Sequence, residues 1–408
     1  MPSFLELAPH KNLRTGRSVW SAQKHISIPV RPLRSSLRAE VVIVGAGISG
    51  AFMAHALSHF SSDILVLDRR EPGLGSTHAS TAMLQYEIDT PLIRLAEQRG
   101  FLSAKRAWLR SYRTTQDLIR LVRHEGISCG LEERDSLYLC GDELGSRAMA
   151  HEARARNRIG IDCQLLSARD LHTRFGIDRN GAILSEGAAV ADPVALSRGL
   201  LQLARKRGAR VLSPVDVHEV MAAHHGVVLD AGNHFIEAKQ VFFCTGYETM
   251  KGLPVQNTRI TSSWAASTRP HARYPSWLDK TLLWEAASPY LYARTSPDGR
   301  LIVGGEDADL DSPSYRAKTL DLKARRLKQK IEKLLPDFDV EWSHIWAGAF
   351  GESGDGLPII GPVPGMPRCF MVMGFGGNGT IYSLIAAQMA PAFLKGRKAV
   401  DADLFAFR

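Results

Sequence analysis

The segment VVIVGAGISG, residues 41–50, runs four apolar residues into a glycine turn. Each glycine has its own physical use. Gly45 allows a tight turn, Gly47 lets the backbone approach a pyrophosphate, and Gly50 lets a helix pack closely on the strand. A helix beginning near Ile48, with Ser49 in its first turn, aims free N–H groups and a positive dipole end at phosphate. The next apolar run, DILVLD, ends in Asp68, 23 residues after Gly45. A carboxylate there accepts hydrogen bonds from ribose hydroxyls and disfavours a 2′-phosphate, hence NADP. The pattern predicts a bound dinucleotide, FAD or NAD.

Other residues could do chemistry around it. In SPYLYARTSPDG, Tyr290, Tyr292 and Arg294 alternate along one face of an expected strand. If that face lines a cavity, Arg294 would pair with an anionic group while the tyrosines shape it; otherwise Arg294 is an ordinary exposed residue. Glu352 and His344 would accept an amine proton or orient water, or else lie on surface loops. Trp264, Trp284 and Trp346 are core residues or parts of an aromatic cage. The five cysteines are scattered with no CxxC pair, so neither a zinc site nor a disulfide framework is expected. No metal site is expected either, and a reducing cytoplasm is the expected compartment.

Elements must hold these groups. Residues 40–68 read as strand, glycine turn, helix and strand, a βαβ opening. EPGLGSTHASTAM reads as a hydroxyl-rich loop, residues 92–125 as one or two helices, and the stretch to about 180 as less regular. ADPVALSRGLLQLARKRGARVL reads as a helix into a strand with Gly208 as its cap. GVVLD, HFIEA and QVFFCTG read as three strands, and SPDGR as a hairpin turn. CFMVMGFGGNGTIYSLIAAQMA repeats the strand, glycine turn and helix near the end of the chain.

The net charge of +9 is local. Residues 1–36 carry +5, residues 316–333 carry +6 and the remainder −2. Leu320, Ala324, Leu327, Ile331 and Leu334 recur at helical spacing, so the second block reads as an amphipathic helix with a solvated basic face. No aromatic residues interleave with either block, so nucleic-acid binding is not expected. A weak peripheral attraction to anionic membranes or acidic substrates stays open. The N-terminal 37 residues read as a basic surface arm, a transit peptide being the weaker reading. No run reaches the roughly 18–20 apolar residues that cross a bilayer.

The hydroxyl-rich loop after Asp68, the strand AKQVFFCTGYE and the run DGLPIIGPVPG before GFGGNGT together resemble the D-amino-acid oxidase, glycine oxidase and sarcosine oxidase family of FAD enzymes. Glycine-oxidase-like and γ-glutamylputrescine-oxidase-like bacterial members are the nearest in look, over about residues 38–395. The resemblance implies FAD, held without a covalent link. Gly45, Gly47, Ile48, Ser49 and Gly50 would hold its pyrophosphate, Asp68 and Arg69 its ribose end, and Ser76 and Thr77 the pyrophosphate and ribityl chain. Ala82 and Met83 would run beside the isoalloxazine, Val217 would bond the adenine through its backbone, and Thr245 and Gly246 would border the ribityl path. Gly376, Gly377, Asn378, Gly379 and Thr380 would open a helix aimed at the flavin pyrimidine, where a positive dipole end stabilises the negative charge of reduced flavin. His78 raises a covalent link, but relatives with one carry the histidine one place later, where Ala79 stands. Many relatives have an Arg in GLRPxTPDGLPIIG; here GAFGESGDGLPIIG puts Phe350 in that place, which weakens binding of a simple amino acid in the usual way.

The expected fold is α/β, a Rossmann-like FAD-binding domain with an inserted α+β substrate domain on a mixed, largely antiparallel sheet. The expected FAD-binding segments are 38–100, 180–255 and 341–408, and the substrate segments 101–179 and 256–340. The expected reaction is oxidation of the C–H bond beside an amine, in an amino acid, N-substituted amino acid or polyamine-like substrate. Arg294, Tyr292, Tyr290, Glu352 and Phe350 are the candidate residues of the reacting site. Oxygen, a quinone or an electron carrier would take the electrons, and an oligomer stays open. A 2-hydroxy acid as substrate, or a flavin-binding sensor without turnover, are the other readings; a NAD dehydrogenase would leave the C-terminal motifs without a purpose.

Overall fold

A computed structural model describes residues 3–248, 250–253, 255 and 258–408. Among these, the first sheet has nine strands. Its centre is parallel: Leu37–Val44 lies between Ile64–Leu67 and Phe235–Phe243, with Arg210–Leu212 beyond Ile64–Leu67 and Cys369–Met373 beside Phe235–Phe243. The run VVIV is apolar throughout because both faces of this sheet are buried. Val41 and Ile43 pack toward helices Ile48–Leu57, Phe101–His124, Pro193–Lys206 and Gly379–Leu394. Val42 and Val44 pack toward the antiparallel meander Glu219–Ala223, Gly226–Asp230 and the first half of Phe235–Phe243. Full burial of such side chains contributes roughly 1.5–3 kcal/mol each.

The second sheet has ten strands among the described residues and is antiparallel except where Thr281–Glu285 runs parallel to Glu132–Leu139. Its middle is Trp342–Ser353, Thr258–Thr268, Leu301–Ala308 and Leu291–Thr295. One face packs on the basic helix Pro313–Leu334, whose Ala324, Leu327, Ile331 and Leu334 are buried as the periodicity predicts.

Several boundaries move. Gly181–Val190 and Trp342–Ser353, expected with the FAD-binding segments, are strands of the second sheet. Helix Phe101–His124, expected in the substrate segment, joins the core of the first sheet through Ala104, Trp108, Leu118 and Val122. The stretch before 180 is regular: Glu132–Leu139, Ser146–Arg158, Cys163–Ser167 and Ala168–Phe175. The two strands expected over 234–246 are one, Phe235–Phe243, because its halves take different neighbours, Gly226–Asp230 first and Cys369–Met373 second. The N-terminal segment is no loose arm. Ser3–Glu6 adds a strand to the first sheet and Arg14–Gly16 one to the second, so the segment straps the two together.

Candidate active site

Both glycine turns open on one cavity between the sheets, about 1800 Å³ of empty space that includes some open solvent. The first turn is held by backbone. Gly45 has φ +110°, and a Cβ there would lie 2.3 Å from the Cys244 carbonyl oxygen. A Cβ on Gly50 would lie 1.7 Å from the Gly45 carbonyl oxygen. Gly50 is therefore a packing residue and does not border the cavity, while Gly45, Gly47, Ile48 and Ser49 do. No side chain of Gly47 caps the helix Ile48–Leu57; instead the Thr77 hydroxyl accepts from the Ile48 N–H at 2.9 Å.

Asp68 is fixed from two sides. Its carboxylate accepts from the Ala46 N–H at 2.6 Å and the Arg70 N–H at 2.8 Å. Burial pushes its pKa up, and those two N–H groups and the Arg70 charge pull it back. Arg69 pairs with Asp216 at 2.8 Å and donates to the Ala8 carbonyl. Arg70 pairs with Glu248 at 2.7 Å and donates to the Lys11 carbonyl at 2.8 Å. The N-terminal strap thus closes this end of the cavity, with Leu7 and Leu13 on its wall.

The fit to a flavin dinucleotide rests on what the wall leaves unsatisfied. The Ser76 hydroxyl is buried without a partner and lines the cavity between the two turns. Arg69, Ser76, Thr77, Ala82, Met83, Val217, Thr245 and Gly246 all border the same space, as do Gly376, Gly377, Asn378, Gly379 and Thr380. Helix Gly379–Leu394 starts there without a side-chain cap on its own N-cap residue. The chemistry of this set, two helix starts facing hydroxyls and a ribose-side acid, matches a pyrophosphate joined to a ring system.

The family model DAO, FAD dependent oxidoreductase, matches residues 40–391. The chain belongs to the FAD-dependent oxidoreductase family. Glycine oxidase of Geobacillus kaustophilus is 24% identical over 385 residues, 91% of this chain and 96% of its own. Its crystal structure covers 91% of this chain and 98% of its own at 20% identity, with a TM-score of 0.74. N-methyl-L-tryptophan oxidase of Escherichia coli is 22% identical over 397 residues, 91% of this chain and 99% of its own. L-α-glycerophosphate oxidase of Mycoplasma pneumoniae, solved with FAD bound, has a TM-score of 0.73 at 13% identity, covering 89% of this chain and 96% of its own. As the family implies, FAD is the cofactor here.

Two of the residues expected at the reacting site stand away from the cavity. Tyr290, Tyr292 and Phe350 border the cavity; Arg294 and Glu352 do not. Arg294 is 1% exposed, and its guanidinium donates to the carbonyls of Thr81 at 2.8 Å, Ala191 at 3.0 Å and Thr295 at 3.1 Å. It ties strands together over the Trp20 ring, each of its three nitrogens donating to a backbone carbonyl, and it is walled off from the cavity. Glu352 lies on the same strand as Phe350 but is held at 2.8 Å by Arg259. His344 sits at the far end of that strand beside Ser343, away from the cavity wall. His78 turns from the cavity: its Nδ1 accepts from Ser18 at 2.8 Å and Arg14 at 3.1 Å, and burial with the Arg14 charge lowers its pKa to about 4. Nothing in that geometry favours a link to flavin. Trp264, Trp284 and Trp346 are buried and also border the cavity, so core and wall coincide.

The wall residues that escape sequence reasoning include Asp89, Tyr247, Glu248 and Ser263. Tyr247 follows Thr245-Gly246 directly, a signal that was available. Asp89 accepts from the Gly377 N–H at 2.6 Å, a contact across 288 residues with no local signature. It reaches cavity space yet protein crowds it, and this desolvation pushes its pKa up to about 6. Glycines make the room: a Cβ on Gly304 would meet the Tyr292 ring at 2.3 Å, and one on Gly351 the Tyr247 ring at 2.6 Å.

Proposed function

We propose that this family member oxidises the C–H bond beside an amine nitrogen, its cavity holding the substrate between the tyrosines and the flavin. The observation that supports the reading most is the continuity of one cavity from the two glycine turns to Tyr247, Tyr290, Tyr292 and Phe350. Bound FAD supplies a two-electron acceptor for the hydride that leaves carbon, and water then hydrolyses the imine to a carbonyl compound and an amine. The chain's own part is positioning. Phe350 and the tyrosines exclude water and orient the carbon, which accounts for most of what such a site contributes. No acid–base pair is required when the amine enters unprotonated.

The test is an anaerobic absorbance screen of the FAD-loaded protein against amines, D- and N-methyl amino acids, and 2-hydroxy acids. Bleaching of the flavin band by amine compounds is expected, and admitting oxygen or a quinone then identifies the reoxidant. Bleaching by hydroxy acids alone, or by dithionite alone, overturns the reading.

A further inference from the structure

Charge at the reacting end of the cavity is one-sided. Asp89 is on the wall, and Asp307 and Glu352 stand behind it. Asp307, on strand Leu301–Ala308, is the unusual one: both carboxylate oxygens are buried with no hydrogen-bond partner. The hydroxyls of Ser263 and Tyr290 are near enough to hold its pKa down, but neither makes a well-formed bond. Burial dominates and, with Glu352 and Asp89 adding repulsion, pushes Asp307 up to about 6. Among the described residues, the basic side chains on the cavity wall are Arg69 and Arg70, both engaged at the strap. Arg259, on the strand beside Glu352, is shared between Glu352 and Asp309. Aromatic faces complete the enclosure, with the Tyr290 and Tyr292 rings 5.6 Å apart.

A buried carboxylate without a donor costs free energy until a cation reaches it. Aromatic faces attract a desolvated ammonium as well. A substrate carboxylate would meet the opposite: no guanidinium fork, since Phe350 stands where one is expected and Arg294 is committed to backbone, and the acids Asp89 and Asp307 to repel it.

We propose that this end of the cavity selects a cationic amine without a carboxylate beside the reacting carbon, a diamine or polyamine whose distal ammonium sits against Asp89 and the tyrosine rings, with the Asp307 charge directly behind Tyr290. The inference rests on the amine-oxidation reading and names its substrate class. The reacting nitrogen enters neutral while the distal one stays protonated.

The experiment compares matched ligands on the FAD-loaded protein under anaerobic conditions: N-methyl-1,4-diaminobutane, N-methylbutylamine and N-methylalanine, with lactate as the hydroxy-acid control. Half-saturation of flavin bleaching, or of flavin spectral perturbation where no bleaching occurs, is the readout. The diamine should saturate at least tenfold lower than N-methylbutylamine and N-methylalanine. In Asp307→Asn the ratio between the diamine and N-methylbutylamine should fall about tenfold, with the flavin-to-protein absorbance ratio reporting intact folding. Phe350→Arg should shift preference toward N-methylalanine. If N-methylalanine saturates below the diamine in the unmodified protein, or if the diamine's advantage survives Asp307→Asn, the inference is overturned while amine oxidation stands. Lactate alone bleaching the flavin overturns amine oxidation itself, and the inference with it.

Discussion

Arg294 shows how much a single side chain's meaning depends on what its nitrogens touch. By sequence it belongs with Tyr290 and Tyr292 on one strand face; in the fold it supplies three backbone carbonyls that water cannot reach. Arg294→Ala leaves those acceptors unsatisfied, at about 1–3 kcal/mol each. The expected outcome is a large fall in melting temperature, with the substrate constant of the folded fraction changed little; a raised constant at unchanged melting temperature contradicts this assignment. Asp89 and Asp307 carry a second prediction at this scale. Each is raised to about 6 from an ordinary value of 3.8, so in ligand-free protein the stability they contribute is complete below pH 3.8 and is lost as pH rises through 6. Ser263, Tyr290, Tyr292, Glu352 and the Gly377 N–H face these two acids. Asp307→Asn should therefore melt above the unmodified protein at pH 8, and the gap should close toward pH 4. Melting curves at both values check it.

At the scale of elements, legibility followed periodicity. The βαβ opening, the helix Pro193–Lys206 and the basic helix carry their burial pattern in contiguous residues, and all were readable. Residues 92–125 left one or two helices open; Gly100, at φ +80°, divides them. The region 126–180 was not readable, because its strand Glu132–Leu139 is completed by partners 43–58 and 146 residues away. Strand pairing also explains Gly304, opposite Tyr292 across two antiparallel strands. Gly304→Ala places a methyl 2.3 Å from the tyrosine ring and should move that ring into the cavity. Substrate half-saturation should rise severalfold while FAD content holds; loss of FAD instead would show that the strand pair, not the ring, had yielded.

At the scale of the molecule, the N-terminal strap is the feature that composition misreads. Six basic residues before residue 37 suggest a solvated arm, yet Ser3–Glu6 and Arg14–Gly16 are hydrogen-bonded into different sheets. The Lys11 N–H donates to Glu248 at 2.7 Å, which in turn holds Arg70 beside the ribose-side acid. A chain lacking residues 3–17 should fold around its two sheets but release FAD more readily. A rise in the FAD dissociation constant of tenfold or more, followed by flavin fluorescence, is expected; retention at full strength would mean the strap is only decoration on the cavity. The described residues contain no helix long and apolar enough to cross a membrane.

The sequence by itself determined the cofactor and most of the glycine-turn residues that border the cavity. Glycine turns, helix starts and the ribose acid are local: their geometry is set by residues within one βαβ unit or one strand–turn–helix, so spacing carries it. The loop hydroxyls and the C-terminal glycines were legible through their family likeness for the same reason. The tertiary structure alone decided the reacting end. Whether Arg294 faces a ligand or three carbonyls, whether Asp307 finds a donor, and how Asp89 meets Gly377 depend on strands brought together from across the chain. Sequence spacing records which face of a strand a residue takes, but not what stands opposite it. The charge that a cavity offers its substrate is a property of that opposition.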